Sequence, residues 1–186
     1  MVFALYIFIT VNTTEKYWYP VKVKLNSEFD IFGKLLKEGY KTYMPMVRYI
    51  AKKNEKEMWK TKPIFRGKLF VYCEPDDILK LHSVDPGIKL YLKGKCPEIF
   101  SDKHISFLKK AFSMNEDAEV VNKIIQGNEY VSVVTEDFGE INFFQSEYRE
   151  KECITWIIPV IKNTLIIDPD CTFIKYLIFE SEEALA

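Results

Sequence analysis

The sequence predicts an α+β protein in two units, an N-terminal α/β sandwich followed by a small β-barrel. Three observations predict it. Along residues 16–112 strand-like alternation of apolar residues gives way twice to helical stripes. After Gly127, short β-rich runs follow one another at even spacing. The charge divides at the same place: residues 16–112 carry 21 Lys and Arg against 11 Asp and Glu, a net of +10, and residues 113–186 carry 5 against 15, a net of −10. An overall charge of −1 hides that division. With 48% hydrophobic and 15% aromatic residues in 186, the chain has the material for a buried core and is excluded from the disordered class.

The elements follow in order. Residues 1–15 form an extension whose apolar opening, MVFALYIFIT, is shorter than the ~20 residues of a membrane-crossing helix. It also lacks the basic start and small-residue cleavage site of a signal peptide; its alternating pattern suggests an added strand, or an extension read from an early start codon. Residues 17–24 (YWYPVKVK) alternate as a half-buried strand does, with Pro20 favouring an edge. Residues 27–38 read as a helix: Ser27 and Asp30 suggest a capping box, Phe29, Phe32, Leu35 and Leu36 a stripe, and Gly39 the residue past its end. A strand is expected over 40–46, and a polar, basic loop or hairpin over 47–62. Residues 68–73 (KLFVYC) are the clearest core strand. Pro75, Asp76 and Asp77 start a short helix whose dipole the two acids complement. Another strand is expected over 88–92 and a helix over 102–112, faced by Ile105, Leu108 and Phe112. Residues 113–127 read as an acidic linker with helical character. The barrel then spans 128–186, with strands over 130–135, 141–145, 154–158 and 164–168.

Catalytic chemistry finds little footing. The seven glycines are scattered and make no phosphate-cradling loop. Cys73, Cys96, Cys153 and Cys171 have no metal-type spacing, and His82 and His104 stand far from them. Neither a zinc site nor a disulfide framework is expected, which suits a reducing cytoplasm. His82 and Ser83 lack a nucleophile-elbow context, Asp76 and Asp77 are explained by the helix start, and Asp168 and Asp170 flank Pro169 as turn residues do. No catalytic residue, cofactor or metal is expected, and binding is the favoured function class.

Ordered features over residues 17–112 resemble the N-terminal domain of the NusG family. They are Trp18-Tyr19 on the first strand, the helix of 27–38, GYKTYMPM at 39–46, PIFRGKLFVY at 63–72, a strand containing Gly87, and KCPEI at 95–99 leading into the last helix. The C-terminal unit is similar to that family's small barrel with a KOW motif, best over 153–177, although the family's Gly-Pro-x-x-Gly loop is here Thr135-Glu-Asp-Phe-Gly139. That departure, with Arg66 in place of a common proline, resembles the specialised RfaH and UpxY branches, which serve surface-polysaccharide operons.

The resemblance implies a cytoplasmic, monomeric transcription elongation or antitermination factor that is not an enzyme. It would dock an apolar patch on the clamp helices of RNA polymerase, suppress pausing or termination, and contact non-template DNA. Its barrel would recruit a ribosomal protein or Rho. Carried onto this chain, the patch draws on Trp18, Tyr43, Phe65, Phe70, Tyr91 and Ile99. Lys22 and Lys68 stand where relatives place patch aromatics. The basic half offers Lys34, Lys37, Lys41, Arg48, Lys52 and Lys53 for nucleic acid. The +10/−10 division predicts that the acidic unit packs on or near the basic one. The alternative reading is an RNA- or ribosome-binding module.

Overall fold

In the computed structural model of the chain, the described residues are 15–53, 56–114, 119–121, 125, 129–135, 137–158 and 161–171. The expected N-terminal strand within 1–14 lies outside them. The N-terminal unit is built on a four-stranded sheet of β1 (Tyr17–Lys22), β2 (Lys41–Tyr43), β5 (Lys68–Cys73) and β6 (Lys89–Leu90), in the order β2-β5-β1-β6. Each adjacent pair in it is antiparallel. The alternation of the sequence now sorts side chains onto two buried faces. Tyr19, Val21, Leu69 and Val71 share one cluster, and Trp18 and Phe70 belong to another. The register sets Trp18 opposite Tyr72, Pro20 opposite Phe70, and Lys22 opposite Lys68.

Helix α1 (Glu28–Lys37), a 3₁₀ turn at Pro75–Lys80 and the short α2 (Leu81–Val84) supply Ile31, Leu35, Ile78 and Leu81 to the first cluster. Helix α3 (Asp102–Met114) supplies Ile105, Phe107, Leu108 and Ala111 to the second. Trp18 is tied to this second side twice: its Nε1 donates to Asp102 Oδ1 at 2.8 Å, and its carbonyl accepts from the Phe100 amide at 2.8 Å. Ser101 caps α3, its Oγ accepting from the His104 amide at 3.2 Å. A long ribbon, β3 (Met46–Lys53) with β4 (Lys56–Pro63), leaves the sheet. A short one, β7 (Leu92–Lys93) with β8 (Cys96–Pro97), turns at Gly94, whose φ is +64°.

The C-terminal unit is a five-stranded antiparallel sheet of β9 (Glu119–Val121), β10 (Glu129–Thr135), β11 (Gly139–Tyr148), β12 (Lys151–Ile158) and β13 (Asn163–Ile167), ordered β10-β11-β12-β13-β9. The β11–β12 turn places Arg149 and Glu150 at φ +54° and +61°, the geometry that a tight hairpin between right-twisted strands requires. Inside the sheet, the buried Ser146 and Thr155 hydroxyls satisfy each other at 3.0 Å. Among the described residues no pairing of β9 with β10 closes this sheet.

Several local expectations are corrected. Ser27 precedes α1 but its side chain caps nothing; its Oγ donates backwards to the Lys24 carbonyl at 2.7 Å. The face of α1 is rotated: Glu28, Ile31 and Leu35 are buried, whereas Phe29 and Leu36 are about half exposed. Glu28 lies on that buried face because its carboxylate accepts from the Gly67 amide at 2.7 Å. The strand expected over 88–92 is split, because Lys89 and Leu90 pair with β1 while Leu92 and Lys93 pair with their own ribbon. The 113–127 segment contributes β9, which pairs with β13; beyond it and the end of α3 only Ile125 is described, outside any helix, its amide donating to Thr164 Oγ1 at 3.0 Å.

The two units pack together. Trp18, Phe65 and Phe70 of the basic half and Phe138, Phe143, Trp156 and Leu165 of the acidic half belong to one buried cluster. Phe107 of α3 is fully buried and makes the join, with ring centroids 5.7 Å from Phe138, 5.9 Å from Phe143 and 4.6 Å from Trp156.

Candidate functional site

The β3–β4 ribbon is the most exposed part of the N-terminal unit. Residues directly opposite in an antiparallel pair share a face, so its register defines two. One carries Tyr49 opposite Lys60, Val47 opposite Lys62, and Ala51 opposite Met58. Lys62 Nζ lies 5.0 Å from the Tyr49 ring centre. The other carries Arg48 opposite Thr61, Ile50 opposite Trp59, and Lys52 opposite Glu57. Trp59 is 71% exposed, a large apolar cost to leave in water unless something covers or stacks on it.

At the foot of this ribbon lies an open cleft of 680 Å³, bordered by α1 and β9. Its cations are Arg48, Lys62 and Arg66, and its exposed rings are Phe29 and Tyr49. Glu28 and Glu119 also line it, but the first holds the Gly67 amide and the second the Arg149 guanidinium, at 3.0 and 3.1 Å.

The six expected polymerase-contact residues fall into two groups. Trp18, Phe65 and Phe70 are interior side chains, at most 2% exposed, under α3 and Phe100. Phe70 meets Phe100 at 5.3 Å and Phe65 at 5.9 Å. Tyr43 and Tyr91 are half-buried at the rim of the same cluster, and burial raises both phenol pKa values. Ile99 is 49% exposed.

The six expected nucleic-acid contacts do not share one surface. Lys34 is held by Asp30 at 2.8 Å and Asp85 at 3.0 Å, and these hydrogen bonds raise its pKa. Lys37, on the same helix, is exposed. Lys41 projects on the α3 side of the sheet, over the Trp18 and Tyr72 rings at 5.3 and 4.7 Å. Arg48 lines the cleft. Lys52 pairs with Glu57 at 3.1 Å. Of Lys53 only the backbone, paired with Lys56, is described. Trp59, Lys60, Lys62 and Arg66 were not among the expected contacts. The alternation of 46–63 contained the signal, because a hairpin register would have put Tyr49 beside Lys60 and Ile50 beside Trp59.

His104 lies between Phe100 and Trp156, at ring distances of 5.9 and 6.4 Å. The partial burial lowers its pKa. Its Nδ1 stands 3.0 Å from Ser101 Oγ, so its role is in the helix cap at the seam. Among the described residues no group of His, Cys, Asp and Glu is placed to hold a metal ion, and no helix is long and apolar enough to cross a membrane.

These features define a two-unit α+β protein whose accessible chemistry is basic and aromatic. Residues 16–108 match the family described as transcription termination factor NusG, and the chain belongs to that family. It is thereby a transcription elongation or termination factor, of a family whose members bind RNA polymerase. A solved structure described as "Domain interaction in Thermotoga maritima NusG" is similar at 16% identity, with a TM-score of 0.44, covering 83% of this chain and 94% of that one. No curated protein matches the sequence.

Proposed function

We propose that this chain is a specialised, RfaH- or UpxY-like elongation and antitermination factor. It binds the clamp helices of RNA polymerase in the cytoplasm, as a monomer without catalytic activity, and suppresses pausing or termination on surface-polysaccharide operons. The N-terminal domain is residues 16–112. The C-terminal unit is a KOW-like barrel over 128–186, joined by the 113–127 segment, and it contacts a ribosomal protein or Rho. Family membership over 16–108 is the observation that carries the reading. The half-buried Tyr43 and Tyr91 and the exposed Ile99 support it as the accessible part of the polymerase patch. Because Trp18, Phe65 and Phe70 are interior, they act by shaping the patch from beneath.

The test is binding of the full chain to bacterial core RNA polymerase, beside a polymerase lacking the clamp-helix tip. Binding that disappears with the tip is expected; binding indifferent to the deletion refutes the contact. A second reading, an RNA- or ribosome-binding module, is favoured by one observation. One face of the β3–β4 ribbon presents Tyr49, Lys60 and Lys62 to solvent, a combination suited to base stacking and phosphate contact. Retention of the chain on ribosomes but not on core polymerase would select it.

A further inference from the structure

The β3–β4 ribbon stands clear of both cores. Its strands pair over eight residues each, a length of about 25 Å at ~3.4 Å per residue. Apart from Met46 at its foot, no described residue of the ribbon belongs to either buried cluster. A lone two-stranded ribbon is only marginally stable in water. This one nevertheless leaves Tyr49, Ile50, Met58 and Trp59 exposed, and a concentration of large apolar side chains on a surface marks a contact site. The charge identifies the partner. Residues 46–63 hold Arg48, Lys52, Lys53, Lys56, Lys60 and Lys62 against Glu55 and Glu57, a net of +4. The register divides these cations between the two faces. Lys60 and Lys62 share one face with Tyr49 and Met58, whereas Arg48 and Lys52 share the other with Ile50 and Trp59.

A single strand of nucleic acid lying on one face would meet the charge of that face alone. Cations and apolar side chains on both faces match a ligand with phosphates on two sides and base edges between them, and a duplex groove has that form. The major groove of B-form DNA, about 12 Å wide, admits a two-stranded β-ribbon, and its thymine methyl groups offer apolar contact. The major groove of A-form RNA is too deep and narrow for side chains to read. We propose that the β3–β4 ribbon enters the major groove of duplex DNA. The cations of both faces reach the phosphates that border the groove, and the exposed apolar side chains meet base edges. The proposal goes beyond polymerase binding and does not rest on it, since only the ribbon and the duplex take part.

The test is fluorescence anisotropy of the full chain, without polymerase, against labelled probes of one sequence: a short DNA duplex, its single strand, and the corresponding RNA duplex. Each is titrated at several salt concentrations. The variants are Lys60→Gln from one face, Arg48→Gln from the other, and the two together. Lys37→Gln, an exposed cation on α1 away from the ribbon, is the control, and circular dichroism verifies that every variant is folded. Duplex DNA should bind most tightly. Its log–log salt slope should become shallower by about 0.9 for each cation removed, from whichever face, and by about 1.8 in the double variant, with the control unchanged. Single-stranded DNA or duplex RNA bound as tightly as duplex DNA overturns the groove. A loss confined to one face overturns it too, and selects a single strand lying on that face. Absence of duplex binding at low salt, or a control that loses as much as the ribbon variants, also overturns the proposal; the first outcome points to an acidic protein as the ribbon's partner.

Discussion

Phe107 is the side chain on which the contact between the two units most depends. It projects from α3, is fully buried, and meets Phe138, Phe143 and Trp156 edge-on or tilted, with centroids between 4.6 and 5.9 Å away. Replacing it with alanine removes a whole ring from the interior, where Phe→Ala changes cost about 3–5 kcal/mol. Each lost ring pair accounts for about 0.5–1.5 kcal/mol of specific interaction beyond area burial. Three such pairs place Phe107→Ala toward the upper part of that range, against a typical domain stability of ~5–15 kcal/mol. Phe138→Ala removes the Phe107 pair on the opposite side and should cost less. Urea unfolding followed by circular dichroism measures both. A Phe107→Ala loss below about 1 kcal/mol, with an unchanged slope, would show that the seam contributes nothing to stability in solution.

Four further outcomes follow from the same geometry. Glu28→Ala strands the buried Gly67 amide that its carboxylate now satisfies at 2.7 Å, so it should lose about 1–3 kcal/mol in urea melts. Gly67→Ala should also destabilise, because φ is +68° and the added Cβ would lie 3.1 Å from the Val23 carbonyl oxygen; a neutral result would contradict that backbone. Lys68, with its pKa lowered to about 8, binds its proton more weakly folded than unfolded, where the value is ~10.4. The native chain therefore carries a penalty below pH 8 that is relieved as pH rises toward about 10, and stability measured across that window should rise less in Lys68→Met. Trp59→Ala, at 71% exposure, should change stability by less than about 0.5 kcal/mol while weakening retention on single-stranded nucleic acid, read by fluorescence anisotropy of a labelled oligonucleotide.

Much of the fold was legible because its signals are local. The alternation of 68–73 marks a strand, and β5 occupies those residues. Asp102, Ile105 and Leu108 mark a helix at 3.6-residue spacing, and α3 begins at Asp102. The breaks between the C-terminal runs likewise located β10 to β13 to within a few residues. What failed was whatever a distant residue decides. Phe29 and Leu36 have the composition of a core stripe, but the buried face of α1 is Ile31 and Leu35 with Glu28, which accepts from an amide 39 residues away. Segment 119–121 carries no strong strand signal of its own and becomes β9 by pairing with β13.

The candidate surfaces divide in the same manner. Period 2 required that Trp18 and Phe70 point to one side of the sheet, but whether that side met solvent, a partner or another layer depended on where α3 and the C-terminal sheet came to rest. Lys22 and Lys68 stood out in the sequence as charges at apolar positions. Only the tertiary structure set them opposite each other and brought Lys162 from the other unit to a shared cleft. By itself the sequence determined most of the element types and the sign of the charge in each half, because propensity, periodicity and formal charge are properties of neighbouring residues. The tertiary structure decided which apolar faces are covered and which cations converge, because burial and electrostatic convergence are set by residues far apart in the chain.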